Sequence, residues 1–220
     1  MIAEALGDAR MVVNVGAGAG SYEPTAGQVV AVELSAVMLA QHRGTRRVRA
    51  TAEARPFPDK AFDAAMAVMT IHHWADLDAG LAEMCRVAQH QVIFTWDKEH
   101  DEELWVVSEY VPEIRVTEHA RFPCLDAVVD ALGGAEIREF PIPHEFTDGY
   151  QPAFWRRPEA YLDRAIRAAS STFATLPDEI VEPAMRRLRA DLASGAWARR
   201  HQDLLERDTV DYGYRLIVSA

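Results

Sequence analysis

Met11-Val-Val-Asn-Val-Gly-Ala-Gly-Ala-Gly20 decides the fold of this chain. Four of the residues Met11 to Val15 are apolar, with Asn14 the exception, which suits a central parallel strand covered on both faces. Glycines at 16, 18 and 20 then let the backbone turn sharply and let a ligand approach where a Cβ would block it. A dinucleotide site calls for G-x-G-x-x-G, whose last glycine would fall at Ser21; here the pattern is G-x-G-x-G. The next strand, Val29-Val-Ala-Val-Glu33, ends in a carboxylate placed to accept hydrogen bonds from a ribose diol at the switch point of an open sheet. Only eight residues separate Gly20 from Val29, and they include Pro24 and Gly27, so any helix between the strands is expected to be a stub.

Working outward, strands and helices alternate as in a parallel α/β sheet. Strands are predicted at 11–15, 28–32, 46–50, 62–68 and 90–96, and helices at 35–42, 76–88 and 122–132. Leu77, Leu81, Met84 and Val87 repeat at helical spacing, with Asp76 placed to cap that helix. Gly133-Gly134 ends another helix before an alternating strand at 135–140, and residues 212–218 read as a closing strand able to pair antiparallel. Between these last two strands lies an insertion, residues 143–208, with helices expected at 158–174, 178–193 and 195–207. The whole of 1–220 then reads as one domain, with 143–208 as a helical cap.

The glycine turn and Glu33, together with Ala52-Glu-Ala-Arg-Pro-Phe-Pro-Asp59, Phe62-Asp63 and His72-His-Trp74, resemble class I S-adenosylmethionine-dependent methyltransferases. The later motifs look like those of the small-molecule branch related to ubiquinone and menaquinone biosynthesis, the methyltransferase type 11 group. The resemblance implies a Rossmann-like, doubly wound, mostly parallel seven-stranded sheet whose last strand is antiparallel. It implies S-adenosyl-L-methionine as cofactor, and transfer of its methyl group by in-line displacement to a phenolic, amine or carboxylate group. Gly16, Ala17 and Gly18 would line the methionine and ribose, Glu33 would take the ribose hydroxyls and Leu34 would flank the adenine. Ala52 and Glu53 would face the adenine amino group, and Met69 and Thr70 would lie under the methionine portion. The family usually has an acidic residue where this chain has Asn14, so the contact near the methionine amino group is expected to be weaker or water-mediated. Relatives also carry a helix before the first strand, over the methionine end, where this chain has only Met1 to Asp8.

A sulfonium methyl is already activated, so such a site needs to hold a nucleophile in line, exclude water and, for some acceptors, remove a proton. His72 and His73 follow the fourth strand at the sheet edge and are the candidates for that proton transfer, against a plain capping or packing role. Trp74 is expected to pack against the cap or the adenine edge. Tyr150 and Trp155, with Phe154 and Trp197 nearby, are candidate walls for an aromatic acceptor; the competing role is the cap's own core. Arg156 and Arg157 offer a carboxylate grip, against a solvated helix face.

Composition narrows the partners. A net charge of −11 argues against nucleic acid or an anionic membrane. Residues 1–149 carry 12 basic and 24 acidic side chains, whereas 150–200 carry 9 and 6, which marks the insertion as a different piece of architecture. No apolar run approaches a membrane span and no signal-type leader is evident, so a cytoplasmic protein is expected. Cys85 and Cys124 make no disulfide framework, and the scattered histidines show no metal-ligand spacing, so no metal is expected. The expected partner is a small-molecule methyl acceptor, with a homodimer left open. Two other readings stay alongside: a protein that binds S-adenosylmethionine without transferring a methyl, and an NAD(P)-dependent oxidoreductase. The missing glycine at 21 and the lack of a Tyr-x-x-x-Lys pair weigh against the latter.

Overall fold

β1 (Met11–Val15) lies inside a seven-stranded sheet because its side chains are apolar toward both faces. The computed structural model describes residues 1–100 and 102–219. Its other strands are β2 (Gln28–Val32), β3 (Arg47–Val48), β4 (Phe62–Val68), β5 (Ala88–Trp96), β6 (Ala135–Glu139), β7 (Ile142–Pro143), β8 (Thr209–Val210) and β9 (Tyr214–Ser219). The main sheet runs β3-β2-β1-β4-β5-β9-β6. β1 is parallel to both β2 and β4, and β4 to β5, while β9 is antiparallel to β5 and β6. The strand order reverses at β1, so the carboxyl ends of β1 and β4 flank the switch point, where such sheets bind ligands.

The chain divides into two units, the first comprising Met1–Asp97, Phe122–Glu139 and Tyr214–Ala220. Helices α1 (Ile2–Ala5), α2 (Ala36–Gln41) and α3 (Leu77–Val87) belong to it; α4 (Glu113–Arg121) does not, and α5 (Leu125–Ala131) does. One sheet face, with Val13, Val15, Val32, Ala65, Ala67 and Ile93, packs on Leu81, Met84 and Val87 of α3 and on Leu125 and Val128 of α5. Those helix residues recur at helical spacing, which turns one stripe of each helix onto the sheet. The Asp76 carboxylate accepts from the Ala79 N–H at 3.0 Å and caps α3 as expected. Gly80 is required on that helix because a Cβ there would stand 2.4 Å from the Trp74 ring.

The second unit comprises Lys98–Arg121 and Phe140–Gly213. It therefore takes in 98–121 as well as the insertion expected at 143–208. β7 and β8 pair antiparallel, Ile142 with Val210 and Pro143 with Thr209, and join the two ends of that insertion. The expected helix at 158–174 is a 3-10 turn (Pro158–Leu162) followed by α6 (Arg164–Ala169) and α7 (Ser171–Thr175). Asp163 and Ser170 adopt extended backbone and cap the pieces. α8 (Asp178–Ala193) forms as predicted, and the last stretch splits into α9 (Ala196–Arg200) and α10 (Gln202–Leu205). Around Trp105 the rings of Tyr110, Tyr161 and Trp197 stand edge-on at 5.9, 5.2 and 5.1 Å.

Two expectations about the first unit need correcting. No helical stub follows the glycine turn: residues 16–27 are turns, bends and irregular chain. The strand expected at 46–50 is limited to Arg47–Val48, since it lies at the sheet edge among exposed polar neighbours.

Asp63 at the start of β4 fastens β1, its Oδ2 accepting from the Arg10 and Met11 N–H groups at 2.8 Å each. The Met11 and Arg10 bonds hold its carboxyl below the ordinary range. A depressed folded pKa gives stability that is present above the unfolded value of about 3.9 and lost as pH falls through the folded value. Asp63→Ala is thus expected to melt below wild type at pH 7, with the gap closing in acid. Parallel melting curves at pH 7 and pH 3 that keep the same gap would contradict this.

Candidate functional site

The glycine turn is built on the end of β2. Gly16 and Ala17 donate their N–H groups to the Val32 carbonyl at 2.8 and 3.0 Å. The Gly18 N–H reaches Glu33 Oε2 at 2.9 Å, while Glu33 Oε1 accepts from Ser35 at 2.7 Å. Residues 15 positions apart thus meet at one point of the sheet edge. The three glycines of the turn all have positive φ, at +72°, +54° and +85°.

Their surroundings differ. A Cβ on Gly16 would stand 2.0 Å from Thr70 Oγ1, so this glycine lets β1 abut the end of β4. A Cβ on Gly18 would meet nothing closer than the Met38 methyl at 3.6 Å. Space therefore opens above Gly18, beside the Glu33 carboxylate. Leu34, Val37 and Met38 are exposed, and α2 buries none of its side chains. An apolar surface next to a carboxylate and a glycine turn matches a ligand with a planar base, a sugar and a polar tail. Met38 was missed in the sequence because α2 shows no amphipathic contrast.

At the end of β4, Met69 has φ +50°, an uncommon conformation for a residue with a side chain, and Thr70 touches the position of a Gly16 Cβ. The 3-10 turn Ile71–His73 follows directly. His72 is half-buried, its ring 4.0 Å from His73 and stacked at 4.0 Å on Phe122, which stands edge-on to Trp96 at 5.3 Å. Phe122 and Trp96 were not singled out in the sequence, because no local pattern links them to the histidines. His73 is exposed. Trp74 packs against Gly80 and the sheet core.

Ala52 and Glu53 are half-buried. Glu53 Oε1 accepts from Ala75 and Asp76 N–H at 3.0 and 3.2 Å, tying the loop after β3 to the start of α3. Burial alone would raise its pKa, but backbone hydrogen bonds from Glu53, Asp76 and Ala75 outweigh it and hold it below the ordinary value. Arg55, beside it, is buried with Nη2 donating to the Gly80 carbonyl; burial lowers its pKa to about 10.

In the second unit, Trp155 has 0% exposure; its indole N–H donates to the Ile142 carbonyl and its own carbonyl accepts from Trp105 Nε1 at 2.8 Å. This corrects its expected place as an acceptor wall: a side chain with no accessible surface lines no open pocket. Tyr150 is half-buried, with its ring edge-on to Phe146 at 5.9 Å. Arg156 donates to the Arg207 carbonyl, and Arg157 to those of Phe146 and Ala153. Both thus hold backbone rather than forming a solvated face. Among the described residues no group of three His, Cys, Asp or Glu is placed to hold a metal, and no helix is long and apolar enough to cross a membrane.

This sheet order and glycine turn define a nucleotide-cofactor fold of the class I methyltransferase type. A methyltransferase domain model matches residues 13–95. A protein of Anabaena variabilis, described as a methyltransferase from an antibiotic biosynthesis pathway, is 31% identical with a TM-score of 0.89, covering 96% of this chain and 90% of its own. Bacillus subtilis YcgJ, an uncharacterised methyltransferase, is 27% identical over 210 residues, 84% of this chain and 83% of its own. The [4+2]-cyclase SpnF shares the fold alone, with a TM-score of 0.52 at 18% identity over 94% of this chain and 74% of its own. The chain belongs to the class I S-adenosylmethionine-dependent methyltransferases, and its cofactor is S-adenosylmethionine. The NAD(P) reading falls with that result.

Proposed function

We propose that the acceptor is a small molecule carrying a hydroxyl, amine or carboxylate group. The relative from an antibiotic biosynthesis pathway supports this class, as does the net charge of −11, which disfavours nucleic acid. Bound S-adenosylmethionine supplies an electrophilic sulfonium methyl. In this reading Gly16, Ala17 and Gly18 seat its methionine and ribose, and Glu33 takes the ribose hydroxyls. Leu34 and Met38 cover the adenine, while Ala52, Glu53 and Met69 complete the seat. The carrying observation is the Gly18–Glu33 hydrogen bond beside open space at Gly18.

His72 or His73 would take the acceptor's proton, a role supported by the turn at 71–73 following Thr70 directly. Tyr150 is the acceptor contact proposed from the second unit. S-Adenosylhomocysteine is expected to raise the melting temperature by mass action, and NADH to leave it unchanged. Glu33→Ala is expected to weaken S-adenosylhomocysteine by about 1.5–3 kcal/mol, the worth of hydrogen bonds to a charged group. Wild-type affinity in that variant, measured by calorimetry, would remove Glu33 from the ribose. A labelled-methyl screen over phenols, amines and carboxylates tests the acceptor class, and transfer to none of them would defeat it.

A further inference from the structure

We propose that the outer edge of β6 pairs with β6 of a second copy of this chain. The two strands run antiparallel about a two-fold axis at Ile137, so that Glu136 of each copy faces Arg138 of the other. β6 ends the order β3-β2-β1-β4-β5-β9-β6, and its strand partner among the described residues is β9 alone. One row of its backbone N–H and C=O groups therefore points away from the sheet, the template that an edge strand offers to another chain. The side chains along this edge stand in water, with Glu136, Ile137 and Glu139 exposed. Ile137 is 40% exposed although it pairs with Ile217 of β9, which is 0% exposed.

Symmetry leaves few registers. In an antiparallel ladder, residues that bond each other both turn their backbone groups toward the partner strand. On identical strands a two-fold axis therefore meets a residue paired with itself. Centres at Ala135 or Glu139 leave most of the strand without a partner. Centred on Glu136, the ladder sets glutamate against glutamate; centred on Arg138, arginine against arginine. Like charges directly opposite each other destabilise a sheet. Centred on Ile137, Glu136 meets Arg138 on both sides of the axis, Ala135 meets Glu139, and the two isoleucines meet each other. Glu136 and Arg138 already stand 2.7 Å apart along one strand, with side chains 62% and 37% exposed. In the pair, each carboxylate would lie between two guanidinium groups.

Charges on an edge ordinarily discourage pairing. Here their alternation forbids the neighbouring registers and admits one. Each cross-strand ion pair contributes about 0.2–1 kcal/mol, and Ile137 gains apolar cover. The β6 strand supplies 5 residues a side. A standard interface uses about 20–30, so a weak dimer is expected, with a Kd of about 10–100 µM. The contact is isologous and closed, so assembly stops at two copies.

Sedimentation equilibrium with charge-reversed variants tests the register. Wild type is expected to dimerise as its concentration rises to about 200 µM. E136R and R138E each set like charges opposite one another, and each is expected to raise the Kd about tenfold or more. Mixed in equal amounts, the two variants bring opposite charges together at both positions. A heterodimer within about threefold of wild-type strength is therefore expected, and the double variant E136R/R138E should recover its own dimer to the same extent. Wild type that stays monomeric at about 200 µM overturns the proposal, and so does a dimer that both single variants leave unchanged. Single variants that lose the dimer without recovering it on mixing overturn it as well, because damage to the fold or to another face would do the same.

Discussion

Trp155→Ala is expected to cost about 3–5 kcal/mol of stability, the usual range for emptying a large aromatic position in a packed core. The side chain is completely buried, so its loss leaves a cavity rather than a solvent-filled dent. It also strips the Ile142 carbonyl of its indole donor, next to the β7–β8 pair that joins the ends of the insertion. That carbonyl keeps its place in the β7–β8 ladder, so the cavity carries most of the cost. Whole domains are stable by only about 5–15 kcal/mol, so the variant should show a large loss of denaturation midpoint. Trp155→Phe retains most of the volume and should lose distinctly less. Urea unfolding followed by tryptophan fluorescence gives the comparison. An alanine variant that unfolds within about 0.5 kcal/mol of wild type, as surface substitutions do, would return Trp155 to the surface.

The contrast between Trp155 and the glycine turn shows what sequence carries. β1 and its turn were legible because strand apolarity and glycine spacing are local, and the same residues that make the strand also set the turn. α3 was legible for the same reason: its stripe and its Asp76 cap lie within one run of chain. Trp155 was not. Aromatic residues wall a pocket or fill a core with equal chemical fitness, and only the partners of its N–H, 13 positions away at Ile142, decide between them. Residues 98–121 escaped for a related reason, since their partners in the second unit are remote in sequence: Trp105 bonds Trp155, Tyr110 bonds Asp191 and Arg207 bonds Glu102. The Asn14–Glu23–His42 set was hidden differently. Asn14 was noted for the charge it lacks, but its partner Glu23 sits in a loop without a pattern of its own, and His42 meets the same carboxylate oxygen from 19 positions on.

Gly18→Val is expected to abolish S-adenosylhomocysteine binding, by at least about a hundredfold or 2.7 kcal/mol, while the fold survives. At this position φ is +54° and an added Cβ would have only the Met38 methyl near it, at 3.6 Å. The branched side chain therefore enters free space rather than protein. That space is the one proposed for the cofactor, so ligand and side chain exclude each other. The left-handed backbone adds strain of about 1–3 kcal/mol, which lowers the melting temperature without reaching the whole stability of a domain. Gly16→Ala makes the informative control. Its single methyl would stand 2.0 Å from Thr70 Oγ1 and 2.7 Å from Thr70 Cβ, so it drives β1 away from β4 and should damage fold and binding together. Melting curves without ligand, then calorimetry on whichever variant remains folded, separate the two glycines. If the valine variant binds S-adenosylhomocysteine within about threefold of wild type, a difference of about 0.6 kcal/mol, no ligand lies over Gly18. The Glu33 carboxylate would then be there to brace the turn, and the cofactor seat would have to be sought elsewhere along the sheet edge.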